Sequence, residues 1–120
     1  MSDFPEEYRD GYVLFAGHRC LVDPRALIPR IETEVLVQYA LRLLTKHSEI
    51  GVIADIGTGS GVIPASLAHK IAREMTIIAT DISQDALGLA RENLDLVMNP
   101  FVQAAVLLPG DLLGPVVKYF

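Results

Sequence analysis

The sequence predicts an α/β protein: a doubly wound parallel sheet, encoded only in part, with a β-hairpin ahead of it. Three observations carry that expectation. From Val52 onward, short apolar runs of strand length alternate with segments of helical spacing, in the order β-α-β-α-β. Each strand-like run closes on a turn that holds an acid or a glycine: Asp55-Ile56-Gly57, then Asp81, then Pro109-Gly110-Asp111. Upstream, two short runs flank Ala16-Gly17-His18, the pattern of a hairpin around a glycine turn.

The elements follow in order. Residues 1–10 are acidic and polar, without the apolar stretch of a signal peptide. Tyr12–Phe15 and Arg19–Val22 are the hairpin strands, and Asp23-Pro24-Arg25 breaks the pattern after them. Pro29 disfavours helix at Ile28, so the next helix is expected to start near Ile31 or Glu32. Glu32 and Glu34 then fall in its first turn, where acids complement the dipole. Val35, Leu36, Tyr39 and Leu43 give it a broad apolar face running to Leu44. Val52–Ile56 reads as a strand and Val62–Arg73 as a helix, with Pro64 in its first turns. Thr76–Thr80 is the second strand, and Ser83 caps a helix over Asp85–Val97 that Asn99-Pro100 stops. Val102–Leu108 is the third strand. The organisation expected is an arm and hairpin over residues 1–30, then the first half of a larger α/β domain over 31–120.

A sheet of this class usually has about five to seven strands. The near-continuous apolar sequence of Val52–Ile56 predicts burial on both faces, with a further strand on its far side. The chain is therefore expected to be a piece of a longer protein, or to complete its sheet by association through an exposed edge.

Composition narrows the function classes. The 120 residues are 51% hydrophobic and 21% charged, which excludes a disordered chain. A net charge of −5 gives no footprint for nonspecific nucleic-acid binding. Cys20 is the only cysteine, so an intrachain disulfide is impossible and a reducing, cytoplasmic compartment fits best. No run approaches the roughly 20 apolar residues that span a bilayer. His18, His47 and His69 stand at no metal-ligand spacing and read as surface or loop residues, so no metal is expected.

The chemistry is carried by Asp55-Ile56-Gly57-Thr58-Gly59-Ser60-Gly61, which follows a strand and opens a helix. Glycines there permit a tight turn and close approach of a ligand, and the helix N-terminus offers free N–H groups. A P-loop needs Gly-Lys-Ser/Thr, and positions 47–69 contain no lysine. A dinucleotide fingerprint needs its third glycine where Val62 stands. The spacing Asp-x-Gly-x-Gly-x-Gly instead suits S-adenosylmethionine, whose carboxylate-bearing tail is smaller than a pyrophosphate. Asp81 stands near the roughly 20-residue distance expected of an acid that accepts from ribose hydroxyls. Asp111 closes the third strand, and all three turns fall at strand carboxyl ends, where open α/β sheets bind ligands.

On these residues the chain resembles the release-factor glutamine N5-methyltransferases of the HemK/PrmC type, which have a Rossmann-like class I methyltransferase fold. The resemblance covers about Leu14–Gly114. It rests on Phe15-Ala16-Gly17 with Leu21-Val22, on Leu27-Ile28-Pro29-Arg30-Ile31-Glu32-Thr33-Glu34, and on Asp55–Gly61. Asp81-Ile82-Ser83 with Ala86-Leu87, and Gly110-Asp111-Leu112-Leu113, extend it. The glycine loop alone marks a class I methyltransferase; the Ile-Pro-Arg-x-Glu-Thr-Glu segment is far more specific.

The resemblance implies that Asp55, Gly57, Thr58, Gly59, Ser60 and Gly61 cradle the methionine part of S-adenosylmethionine. It implies that Asp81 binds the ribose and that Asp111 and Leu112 flank the adenine. Arg30, Glu32 and Thr33 would lie on the helix start that shoulders the active site. The implied reaction transfers a methyl group to a glutamine side-chain amide of a peptide chain release factor. The family's Asn-Pro-Pro-Tyr motif, which holds the target amide, is absent, so no catalytic residue is expected in this chain and the chain alone is expected to be inactive. Only about eleven residues precede the hairpin, so the family's helical N-terminal domain is not expected in this sequence, and Ile31 replaces its usual proline. The alternatives are an amino-methyltransferase of adenine or guanine in DNA or RNA, and a noncatalytic module that binds the cofactor or a partner.

Overall fold

A computed structural model of the chain describes residues 5–97, 99–111, 114 and 116. A one-turn helix α1 (Glu6–Asp10), which the sequence reading did not foresee, ends on Gly11 in the left-handed region. The hairpin follows, β1 (Tyr12–Phe15) pairing antiparallel with β2 (His18–Leu21). Its turn is only Ala16-Gly17, with φ of 48° and 81°. Two positive φ values match the right-handed twist of the strands, so the hairpin closes in two residues. His18 therefore belongs to the strand rather than the turn, and the second strand begins one residue earlier than expected.

Helix α2 (Thr33–Lys46) starts just after the expected Ile31 or Glu32, because residues 31 and 32 form a turn in which the Thr33 N–H donates to the Arg30 carbonyl at 3.0 Å. Its expected apolar face is corrected. Val35, Leu36, Tyr39 and Leu43 are exposed, Val35 by 67%, whereas Val37 is 1% exposed and Leu44 is buried. Val37, Leu41 and Leu44 are spaced to share one helical side, and that side meets the core.

From β3 (Val52–Ile56) the chain runs through α3 (Val62–Lys70), β4 (Met75–Asp81) and α4 (Gln84–Leu96) to β5 (Val102–Pro109). The sheet is parallel with order β3-β4-β5. Central β4 buries Met75, Ile77, Ile78, Ala79 and Thr80. The expectation that Val52–Ile56 is buried on both faces is also corrected: Val52 and Ile56 are exposed. Among the described residues β3 pairs with β4 alone, so neighbours cover it from one side.

Helix α3 is shorter than the Val62–Arg73 expected, because Ile71 turns extended. Its last carbonyls find other donors: Asn99 Nδ2 donates to the Ala68 and Ile71 oxygens, both at 2.6 Å. Arg73 instead closes α2, its guanidinium donating to the carbonyls of Leu44, His47, Ser48 and Ile50. That arrangement satisfies orphan carbonyls of the helix end. One buried core joins the hairpin (Phe15, Cys20) to α2, α3, α4 and β4.

Candidate functional site

The loop after β3 is held by its own backbone and by one carboxylate. Thr58 N–H donates to the Thr80 carbonyl at 2.8 Å and Gly61 N–H to the Thr58 carbonyl at 2.9 Å. Gly59 N–H donates to Asp81 Oδ2 at 2.8 Å. Gly57, Gly59 and Gly61 have φ of 74°, 57° and 77°, a region that L side chains rarely adopt. The three differ in what surrounds them. A Cβ on Gly57 or Gly59 would meet nothing within 4 Å, so the loop is open there. A Cβ on Gly61 would stand 2.7 Å from Ala90 Cβ, so this glycine exists for helix packing.

A cleft of about 240 Å³, lined by Ile56, Gly57, Asp81, Ile82, Gly110 and Asp111, lies at the carboxyl ends of β3, β4 and β5. It brings together the first glycine of the loop and the two acids that the sequence singled out. Its volume is below the roughly 300–1,000 Å³ of whole ligand pockets, which fits one part of an elongated ligand. Asp81 spans the gap between loop and helix: besides Gly59 N–H on Oδ2, its Oδ1 accepts from Ser83 N–H at 2.9 Å. Ser83 in turn caps α4 through Ala86 N–H, as expected. Each Asp81 oxygen keeps a lone pair for a further donor.

Asp55 lies elsewhere. It lines an apolar groove on the α2 side of the sheet, together with Leu36, Leu43, Val52 and Ile63. Its Oδ2, with Thr58 Oγ1 and Thr80 Oγ1, is buried without a hydrogen-bond partner among the described residues. Burial pushes the Asp55 carboxyl above the usual range, the neighbouring Thr58 hydroxyl opposes the shift, and the Asp81 charge adds to it. Orphaned buried polar atoms are rare in folded proteins and mark places where a ligand or water supplies the missing partner. The open glycines, the spare acceptors of Asp81 and these orphans fit a cofactor that carries hydroxyls at one end and an ammonium at the other.

Thr58 and Ser60 are buried beneath the loop. Arg30 and Glu32 are exposed and Thr33 half-buried at the start of α2, and none of the three lines the cleft. Leu112 falls outside the described residues.

Other polar residues were missed by sequence reasoning. His18, expected at the surface, is 7% exposed, with Nε2 2.7 Å from Ser66 Oγ and its ring 5.3 Å from that of His69. Burial depresses its pKa, and the His69 and Lys70 charges add to that effect. Asn93 on α4 is 1% exposed. The one signal for it was its position on the same helical side as Leu89, Ala90 and Leu94. Among the described residues no group of three or more His, Cys, Asp or Glu could hold a metal.

A glycine loop between a parallel strand and a helix, flanked by acids at the next two strand ends, defines a Rossmann-like cofactor-binding domain. Residues 32–115 match the methyltransferase small domain, and the chain belongs to that family. It is similar to the release factor glutamine methyltransferase of Moorella thermoacetica, at 42% identity over 95% of this chain and 39% of the relative. The protein of that name from Streptococcus pneumoniae is 48% identical over 74% of this chain and 31% of the relative. The one from Bacillus cereus is 35% identical over 96% and 40%. The chain thus spans two fifths or less of the length of these relatives.

Proposed function

We propose that this chain forms the cofactor-binding part of an S-adenosylmethionine-dependent methyltransferase that acts on a glutamine side-chain amide of a peptide chain release factor. The observation that carries the cofactor is the cleft that joins Gly57, Asp81 and Asp111 at three successive strand ends. The substrate follows from the names of the similar proteins.

In this reading Gly57–Gly61 receive the methionine moiety on open backbone, and Asp81 accepts from the ribose hydroxyls with its remaining lone pairs. Asp111 and Leu112 flank the adenine. Asp55, just before the loop, would take the cofactor's ammonium. Arg30, Glu32 and Thr33 form the shoulder of the site. The bound cofactor supplies an electrophilic methyl group on sulfur. An amide nitrogen is a poor nucleophile, so positioning and exclusion of water provide most of the rate. The edge of β3 that is unpaired among the described residues, with the apolar groove beside it, would be the surface on which a further strand or a partner assembles. The lone buried thiol of Cys20 suits the cytoplasm.

Calorimetry with S-adenosylhomocysteine and NAD tests the cofactor. S-adenosylhomocysteine is expected to bind and NAD is not, and tighter NAD binding would overturn the reading. Asp81→Ala is expected to weaken binding by about 1.5–3 kcal/mol, the scale of hydrogen bonds to a charged group. Unchanged affinity in a folded variant would make Asp81 a structural cap only.

A further inference from the structure

Asn93 sits in the last turn of α4 with its amide almost fully occupied. Leu21 N–H donates to Oδ1 at 2.6 Å, and Nδ2 donates to the Leu21 carbonyl at 3.0 Å and to the Ser60 carbonyl at 2.8 Å. An amide has two donors and two acceptor sites, so three of four are used. The double bond pattern to Leu21 is that of a strand neighbour. β2 pairs with β1 on one side, and Asn93 completes its other side at Leu21.

The third bond goes to the backbone of the glycine loop. One turn earlier on the same helix, Ala90 packs against Gly61 so tightly that no Cβ fits between them. A single stripe of α4 thus seats Ser60 and Gly61 together. Next to this joint the buried Cys20 thiol donates to the Leu21 carbonyl at 3.7 Å, and burial pushes its pKa up to about 11. Asp81 holds Gly59 from the other flank.

From this geometry we infer that Asn93 is a positioning residue that locks the glycine loop to the hairpin, making the hairpin part of the cofactor site's scaffold. Asn93 fixes where the Ser60 carbonyl points, and so the backbone path that the methionine moiety meets. Aspartate at this position keeps the shape and the acceptor for Leu21 N–H, but sets a carboxylate against two carbonyl oxygens. The inference deepens the cofactor reading and rests on it for its binding consequence.

Two measurements test it. Native-state hydrogen exchange on the unaltered chain is expected to show the amides of Leu21, Gly59 and Gly61 opening together, with one denaturant dependence. Independent opening of hairpin and loop would overturn the inference, and this readout needs neither cofactor nor variant. Calorimetry with S-adenosylhomocysteine is expected to show at least tenfold weaker binding for Asn93→Asp. Ser66→Ala, which removes the His18 contact without touching the loop, is expected to stay within twofold at equal or greater loss of thermal stability. Equal losses in the two variants would reduce Asn93 to a stabilising residue. Absence of binding by the unaltered chain would instead overturn the proposed function, and the exchange experiment would then decide the role of Asn93.

Discussion

The hairpin side of the molecule and the side flanked by α2 and β3 are made of similar apolar residues but finished in opposite ways. On the hairpin side Phe15 and Cys20 are buried, and polar joints surround them: Glu34 Oε1 accepts from Ala16 N–H, His18 meets Ser66, and Asn93 meets Leu21. On the other side, Leu36, Leu43 and Val52 stand exposed around an apolar groove of about 410 Å³. Contiguous exposed apolar surface marks a place of interaction, whereas a sealed polar joint marks a finished one. The glycine loop lies at the boundary, with Gly61 packed against α4 and Asp55 facing the groove.

The sharpest way to break the finished side is Gly61→Ala. The new Cβ meets Ala90 side chain and backbone, and φ at 77° is unfavourable to alanine. Strain and overpacking together predict a loss of about 3 kcal/mol or more in urea unfolding. Gly57→Ala, equally strained but in open space, should cost about 1–2 kcal/mol.

The two sides can be compared within one helix. Val37→Ala is expected to cost about 2 kcal/mol, from lost burial and a cavity. Val35→Ala, two residues away on the open side, should stay within about 0.5 kcal/mol. Equal costs in denaturant titrations would mean that the exposed side of α2 is covered in solution.

At the boundary, Asp55→Asn removes a buried carboxylate that has an orphaned oxygen. It should raise stability by about 1 kcal/mol while weakening S-adenosylhomocysteine binding. A thermal melt and a titration on one sample would check both signs.

The smallest expected effect is from pH. The pKa of His18 is depressed in the fold, so the unfolded chain binds more protons as pH falls below about 6.5. Its contribution is complete above that pH and is lost on acidification towards the depressed value. His69 and Lys70, the basic groups facing it from α3, act in the same direction. Replacing His18 with glutamine should flatten this part of the stability profile.

Element types were legible because the period of the apolar pattern reports them directly, as in β4 and α4. The loop was legible because a failed dinucleotide spacing and a fitting methyltransferase spacing differ at a single position, Val62. The orientation of α2 was not legible. Val35, Leu36, Val37, Tyr39, Leu41, Leu43 and Leu44 are apolar nearly all round, and only the tertiary neighbours choose the side that is buried. His18, Arg73 and Asn93 were invisible for a related reason. A polar side chain becomes interior only when distant partners satisfy it, and nothing local records those partners.

The Asn93 joint also has a consequence for biosynthesis. Leu21 and Asn93 are 72 positions apart, while the hairpin itself closes over two residues. A hairpin forms in about 1–10 μs, but ribosomes add only about 5–20 residues per second. The strands can therefore pair before α4 emerges, and for roughly 4–14 s after Leu21 is made its outward backbone groups lack the Asn93 amide. Phe15 and Cys20, buried in the folded chain, stay accessible on the hairpin until the helices pack on it.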